Sequence, residues 1–252
     1  MTIVLKIGGA KAVDPAGALD DIVHLSSQGN SLIIVHGGST AIDENLERMG
    51  LSPNYVETPS GVVGRFTDEA TMKVFTMTMA GLLNTNLVVK LQNLNINAVG
   101  LSGVDGRLLH GPRKDSIRTI KNGKKKILRG DHSGKITSVN TDLIQLLLDN
   151  GYVPVISPPM LSDDGIAVNT DADRVSSSLA GSLSATLVSL TDVSGIYRDI
   201  SDPTTLISSA KTPEQYSLLQ NAAEGFMTRK LMAATDALQQ GAEKAIIASA
   251  NE

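Results

Sequence analysis

The 252-residue chain has no cysteine and no tryptophan, and only three phenylalanines and four tyrosines. Without cysteine there is no disulfide, no thiol nucleophile and no cysteine zinc site, a usage that fits a reducing cytosol. So few aromatics, on a chain with a formal charge of -4, argue against nucleic acid as a partner. No apolar run approaches the roughly 18 residues of a membrane span. Met1-Thr2-Ile3 leads directly into a strand-like run with no basic segment before it, so the expectation is a cytoplasmic protein with no membrane partner. Also missing are the Walker spacing and the Gly-x-Gly-x-x-Gly fingerprint, which argues against a nicotinamide enzyme.

What the chain does have is two Gly-Gly elbows directly after apolar runs. Lys6-Ile7-Gly8-Gly9 follows Ile3-Val4-Leu5, and His36-Gly37-Gly38-Ser39 follows Leu32-Ile33-Ile34-Val35. Loops without side chains let backbone N-H groups crowd around an anion, and Lys6 adds a full positive charge at the strand end. Two such loops suggest two anionic reactants, the arrangement that phosphoryl transfer needs.

The length suffices for one large α/β domain or two lobes. Strand Ile3-Ile7, helix Pro15-Gln28, strand Leu32-Val35 and helix Ser39-Met49 alternate, which predicts right-handed βαβ units and a mainly parallel sheet between helices. Tyr55-Asp68 reads as a β-ribbon beside that sheet. Thr67 is placed as the cap of a helix running to about Leu83, whose Met72, Phe75, Met79, Leu82 and Leu83 form one stripe. A further helix is expected over Asn86-Leu94.

Later units are strand Ala98-Leu101, helix Thr141-Asn150, strand Tyr152-Ile156, helix Ala172-Ser182 and strand Ala185-Leu190. A loop-rich stretch Thr191-Gln220 precedes helix Thr228-Gln240 and strand Ala245-Ala248. A composition shift near 151-157 divides one continuous domain into lobes 1-156 and 157-252.

Charge is unevenly distributed. Of 22 basic and 26 acidic residues, eight basic and one acidic lie between Arg113 and Arg129, so a stretch of +7 sits on a body of -11. Asn122-Gly123 between Ile117-Lys121 and Lys124-Leu128 signals a two-residue hairpin. Such a stripe either attracts an acidic partner or is a solvated charged hairpin.

Other residues stand out for chemistry. His36 has no nearby carboxylate to orient it, so it reads as packed or backbone-bonded rather than as a base. Arg65 near the ribbon end suits a substrate carboxylate, and equally an exposed ribbon position. In Asn169-Thr170-Asp171-Ala172-Asp173-Arg174, Asp171 reads as a helix cap, leaving Asp173 free to orient lysines and help hold Mg²⁺. Lys230, placed in the first turn of the last helix, points to an anionic neighbour.

Taken together, Lys6-Ile7-Gly8-Gly9, His36-Gly37-Gly38, Arg65-Phe66-Thr67-Asp68, Asn169-Thr170-Asp171-Ala172-Asp173 and Gly225-Phe226-Met227-Thr228-Arg229-Lys230 resemble the amino-acid kinase family, in order and spacing over essentially the whole chain. The resemblance is to its acetylglutamate kinase branch, which phosphorylates a side-chain carboxylate with ATP and Mg²⁺. It is closest to the subgroup acting on aminoadipate or glutamate attached to a small acidic amino-group carrier protein, LysW. Ser39, Ser60-Gly61-Val62-Val63 and Lys124-Lys125-Lys126-Ile127-Leu128-Arg129-Gly130-Asp131-His132 carry that choice.

The resemblance implies an open, mainly parallel sheet in a three-layer αβα sandwich and at least a homodimer. It implies that Lys6 and Lys230 stabilise the transition state and that Asp173 organises them. Gly37, Gly38, Ser39, Arg65 and Asn169 correspond to acid-substrate contacts. Gly8, Gly9, Thr191, Asp192, Gly195 and Tyr197 correspond to nucleotide contacts, with the metal ion held mainly through the nucleotide. Lys121, Lys124, Lys125, Lys126 and Arg129 would dock the carrier. Gly225-Phe226, where the family commonly has Gly-Gly, and the residues flanking Arg65 depart from the pattern. A free N-acetylglutamate kinase is the alternative enzyme. A non-catalytic nucleotide sensor on the same fold would lack Lys6, Asp173 or Lys230, and all three are present.

Overall fold

The computed structural model describes residues 1-8, 15-59, 61, 63-121, 124-199, 201-223 and 225-250, with the side chains at 15, 16, 121, 124 and 226 outside the description. The front half comprises β1 (Thr2–Ile7), α1 (Pro15–Ser27), β2 (Ser31–His36), α2 (Ser39–Arg48), β3 (Tyr55–Glu57), β4 (Val63–Arg65), α3 (Glu69–Thr76), α4 (Asn84–Asn93), β5 (Ala98–Gly103), β6 (Leu109–Gly111) and the hairpin β7 (Arg113–Lys121) and β8 (Lys124–Gly134). The back half comprises β9 (Ser138–Val139), α5 (Thr141–Asp149), β10 (Val153–Ser162), β11 (Ala167–Val168), α6 (Ala172–Ser182), β12 (Thr186–Thr191), α7 (Pro213–Ala222), α8 (Gly225–Gln239) and β13 (Lys244–Ser249).

Among the described residues nine strands form the main sheet, in the order β13-β12-β1-β2-β10-β6-β9, with β5 and β11 also paired to β10. The pairings β13/β12, β12/β1, β1/β2, β2/β10 and β10/β5 are all parallel, as the continuous apolar runs require. Residue parity then sorts the core. Val4, Ile33 and Val35 face a cluster with Val175 and Leu179 of α6 and Ala237 of α8. Ile3, Leu5, Leu32 and Ile34 face the opposite cluster, with Ile22 of α1 and Leu87 and Leu91 of α4. Helices thus cover both faces of the sheet in an αβα sandwich. The strand order reverses at β1, which lies between β12 and β2, and ligands of open α/β sheets bind at the carboxyl ends of strands at such a point.

Several local readings are corrected. Asp68, not Thr67, caps α3, accepting from the Thr71 N-H at 2.8 Å. The expected break after Leu83 is absent. A π-helical segment, Met77–Leu83, joins α3 to α4, and the helix runs unbroken through Glu69–Asn93, 25 residues. The wider i to i+5 pattern shifts the helical phase within the segment and beyond it, and Leu82, expected in the stripe, is 48% exposed while Met72, Phe75 and Met79 are buried. By length and composition this helix could cross a membrane, which the count of consecutive apolar residues missed. Here its inner positions Met79, Leu87 and Leu91 pack as core.

The stretch expected to be loop-rich contains α7, opened by a capping box in which Thr212 and Gln215 bond reciprocally and Pro213 takes the first turn. The basic hairpin is longer than its sequence signal, pairing Arg113 with Gly134 at its base and Lys121 with Lys124 at its tip; its turn, Asn122-Gly123, lies outside the described residues.

Candidate active site

Parity along β1 puts the Lys6 side chain on the same face as Val4, the face covered by α6 and α8. There the Lys6 Nζ lies 2.6 Å from Asp173 Oδ1, with the two side chains only 6% and 16% exposed. Asp173 is delivered by the first turn of α6, whose cap is Asp171: its carboxylate accepts the Asp173 N-H at 2.8 Å. Burial raises the Asp173 pKa, but the ammonium groups of Lys6 and Lys230 outweigh it and hold the carboxyl below its ordinary value.

Lys230 completes this cluster from α8. Because α8 starts at Gly225, Lys230 is in the second turn and not the first, so the expectation of an anion drawn by the helix end is replaced by a side-chain environment. Burial and the neighbouring Lys6 charge lower the Lys230 pKa to about 8, with Asp173 and Asp192 pulling the other way. Two ammonium groups near one carboxylate, which pairs with Lys6, leave a positive centre suited to an anionic group passing between them.

The nucleotide candidates lie on the same edge of the sheet. Thr191 at the end of β12 is buried and donates to Asp192 at 2.9 Å, and Gly195 and Tyr197 come next, with Tyr197 bridged to Leu206. Gly8 lies just past β1, and Gly9 falls outside the described residues.

At the second elbow, the Gly37 N-H bonds to Ile7 O at 3.0 Å, so it is not available to an anion. Gly38 opens α2 with no side-chain cap, leaving helix N-terminal amides for a ligand. Its backbone is extended, so glycine is needed there for space: a Cβ would lie 2.3 Å from Leu83 Cδ1 and 2.5 Å from Met79 Sδ. His36 is buried, and its pKa is lowered by that burial despite a 3.1 Å contact with Gly37 O. Asn84 Nδ2 lies 3.2 Å from its ring and donates to Val155 O at 2.9 Å. The imidazole is therefore packed and neutral.

Arg65 is nearly buried, with 7% of its side chain exposed. Its Nη2 meets Asp43 Oδ1 at 2.9 Å and donates to Tyr55 Oη at 2.7 Å and Ser39 O at 3.2 Å. Tyr55, its cross-strand partner in the ribbon, donates to Asp43 Oδ2 at 2.9 Å. Burial raises the Tyr55 pKa although Arg65 opposes it. Among the described residues Arg65 Nε and Nη1 are buried with no hydrogen-bond partner, a deficit that an acidic ligand would remove. Ser39 thus touches Arg65 through its carbonyl. Sequence reading missed Asp43 and Tyr55, each of which is remote from Arg65 in the chain.

Asn169 donates to Thr67 Oγ1 at 3.0 Å, and Thr67 donates to Arg65 O at 3.3 Å. The hairpin rises from this same region. Strand alternation places Arg118, Ile120, Lys125, Ile127 and Arg129 on one outer face, all exposed, with Ile120 at 40% and Ile127 at 60%. Lys126 is exposed on the other face, whereas the side chains of Lys121 and Lys124 are outside the description.

A family model described as "Amino acid kinase family" matches residues 1-249. A [LysW]-aminoadipate kinase from Deinococcus radiodurans is 42% identical over 249 residues, covering 98% of this chain and 85% of that protein. An acetylglutamate kinase from Methanopyrus kandleri is 38% identical over 247 residues, covering 97% and 93%. The solved structure of smu.665 from Streptococcus mutans UA159 superposes with a TM-score of 0.75 at 21% identity, covering 98% of this chain and 94% of that one. With the sheet order, the β1 crevice and the match running nearly end to end, the chain belongs to the amino acid kinase family.

Proposed function

We propose that this protein phosphorylates the side-chain carboxylate of aminoadipate or glutamate attached to the carrier protein LysW, using ATP and yielding an acyl phosphate, in lysine biosynthesis, and in arginine biosynthesis where glutamate is the acid. The observation that carries the reading is the pairing of a positive centre, Lys6 and Lys230 around Asp173, with a buried Arg65 whose Nε and Nη1 have no partner. One suits a phosphoryl group in transit, the other the acid that receives it.

A carboxylate is already a competent nucleophile. One of its oxygens bonds to the γ-phosphorus as the bond to the β-phosphate bridging oxygen breaks and ADP leaves; no proton has to move. His36, buried and neutral, has no part in this. Arg65, Asn169 and the amides at the start of α2 hold the acid, while Thr191, Asp192, Gly195 and Tyr197 with the Gly8-Gly9 loop border the nucleotide. Lys6 and Lys230 suppress repulsion between the anions and neutralise the transferring group by position and charge. Mg²⁺, carried mainly by the nucleotide, would neutralise the phosphates. On this reading residues 1-156 mainly supply the acid side and 157-252 the nucleotide side, the division falling within β10, with Gly8 and Asn169 each serving the side opposite to their own part of the chain.

The carrier enters through the hairpin. Its outer face sets Arg118, Lys125 and Arg129 around Ile120 and Ile127, complementary to an acidic protein; the names of the Deinococcus relative and of a Thermus thermophilus relative, 39% identical over 254 residues, support it. Exposed Met77 and Val89 on the long helix, at 52% each, support a homodimer. The second reading, a kinase of free N-acetylglutamate, is favoured by the Methanopyrus relative. Turnover measured with carrier-bound aminoadipate, carrier-bound glutamate and free N-acetylglutamate separates them: preference for the free acid overturns the carrier reading, and turnover of none overturns both.

A further inference from the structure

We propose that Asp131 is a positioning residue that fixes Arg65 and Asn169 relative to each other and to the base of the hairpin; this rests on the reading of those two residues as acceptor contacts. Asp131 is fully buried, at 0% exposure. A buried carboxylate is costly unless its oxygens are hydrogen-bonded. Here Oδ1 accepts the Thr67 N-H at 3.0 Å, and Oδ2 accepts the Ser133 N-H at 3.1 Å and the Ser133 hydroxyl. One side chain thereby ties β8 to the segment just past Arg65.

Thr67 passes the constraint on in two directions. Its hydroxyl receives Asn169 Nδ2 at 3.0 Å and donates to Arg65 O at 3.3 Å. Around it the backbone closes a seam: His132 N to Thr67 O at 2.6 Å, Asn169 N to His132 O at 2.6 Å and Gly134 N to Asn169 O at 2.8 Å. The end of β8 is thus held between the two residues that would grip the acid. A carboxylate suits the junction because all three groups facing it are donors, and an acceptor on both sides is what an amide cannot supply.

The motif that held this residue in the sequence, Gly130-Asp131-His132, sits at the foot of the basic hairpin. Its carboxylate is where movement of the hairpin would first reach the acid site.

The test compares the wild type with Asp131→Asn and Thr67→Val, measuring KM for carrier-bound aminoadipate and for ATP, with Tm alongside. Wild-type turnover is read first; turnover of no acceptor acid overturns the function reading and this inference with it. In Asp131→Asn, one NH₂ must face an N-H or O-H donor, so the acceptor KM is expected to rise about tenfold with the ATP KM within twofold. Thr67→Val keeps the N-H bond to Asp131 but removes the hydroxyl links to Asn169 and Arg65 O, and should show the same split with a Tm lowered by a few degrees. An unchanged acceptor KM, or a parallel rise in both KM values, overturns the positioning role. If Asp131→Asn does not fold, Ser133→Ala, which removes the hydroxyl bond to Asp131 Oδ2 and keeps its carboxylate, decides by the same criteria.

Discussion

Lys6 and Asp173 meet at 2.6 Å, one from the carboxyl end of a central strand and the other from the first turn of the helix packed over it. Lys6 is the cation in direct contact with Asp173, so each offsets much of the cost of burying the other. Removing Asp173 leaves the ammonium groups of Lys6 and Lys230 without their carboxylate, whereas removing Lys6 with it leaves Lys230 alone.

Asp173→Ala is therefore expected to destabilise the fold by about 3 to 5 kcal/mol, the range for breaking a buried pair. Lys6→Met combined with Asp173→Leu should recover part of that, since it removes the buried pair and the Lys6–Lys230 repulsion but leaves Lys230 without Asp173. Urea unfolding of the single and double variants checks it, and an additive double variant would contradict the coupling.

Turnover should depend on both ammonium groups. Lys6→Ala and Lys230→Ala are each expected to lower kcat by roughly 10²-fold or more, by analogy with the loss of one oxyanion donor. Steady-state rates at saturating ATP and acceptor provide the measurement, and wild-type kcat in either variant would remove that lysine from the mechanism.

The pH dependence comes from Lys230, whose pKa is lowered to about 8. Acceptor kcat/KM, which reports the free enzyme, should fall above pH 8 as the ammonium loses its proton. Bound nucleotide phosphates favour the charged form, so the alkaline limb of kcat should lie at higher pH. Lys230→Arg should abolish the limb. Stability runs the other way: between about 8 and 10.5 the unfolded chain binds the proton that the folded one has lost, so this group adds stability as pH rises through that window and none is gained below it. Unfolding midpoints of wild type and Lys230→Met across pH 7 to 10 would reveal the opposite sign if the argument is wrong.

Tyr55 holds the Nη2 side of Arg65 with Asp43. Tyr55→Phe keeps the ring beneath the guanidinium, 5.3 Å from its centroid, and removes only the hydroxyl. The acceptor KM should rise roughly 3- to 10-fold, the scale of one ordinary hydrogen bond of about 1 kcal/mol, with ATP KM unchanged. Equal effects on both substrates would contradict an acid-side role.

Charge reversal at Lys125 and Arg129 should weaken use of the carrier-bound substrate, most strongly at low salt, while sparing nucleotide binding. Equal carrier affinity in the variant at low ionic strength would rule out docking there.

The parallel sheet was legible because each buried strand is a continuous apolar run, and the resemblance placed Lys6, Asp173 and Lys230 although 224 positions separate the outer two. Tyr55 and Asp43 were not legible: each looks like an ordinary polar residue until the ribbon folds back and sets Tyr55 opposite Arg65. Asp131 was visible as part of a motif, but its partner Thr67 lies 64 residues away, a separation no local pattern encodes. The missed α7 is different. Thr212-Pro213-Glu214-Gln215 carries the capping-box and proline signals in plain order, and the surrounding weak apolar periodicity concealed them. Leu82 failed for a physical reason as well, since a uniform 3.6-residue period does not hold across Met77–Leu83.

That segment acts as a phase shifter. A helix of uniform pitch through 69-93 has a single rotational setting, and the residues at its two ends answer to different surfaces: Met72 and Phe75 to α2, Leu87 and Leu91 to the sheet. The extra residue in the turn lets each end be tuned separately, and it leaves Asn84, at the junction, aimed at His36 and Val155. Deleting one residue between 77 and 83 would change the composition hardly at all, yet would turn every side chain beyond it to a new azimuth.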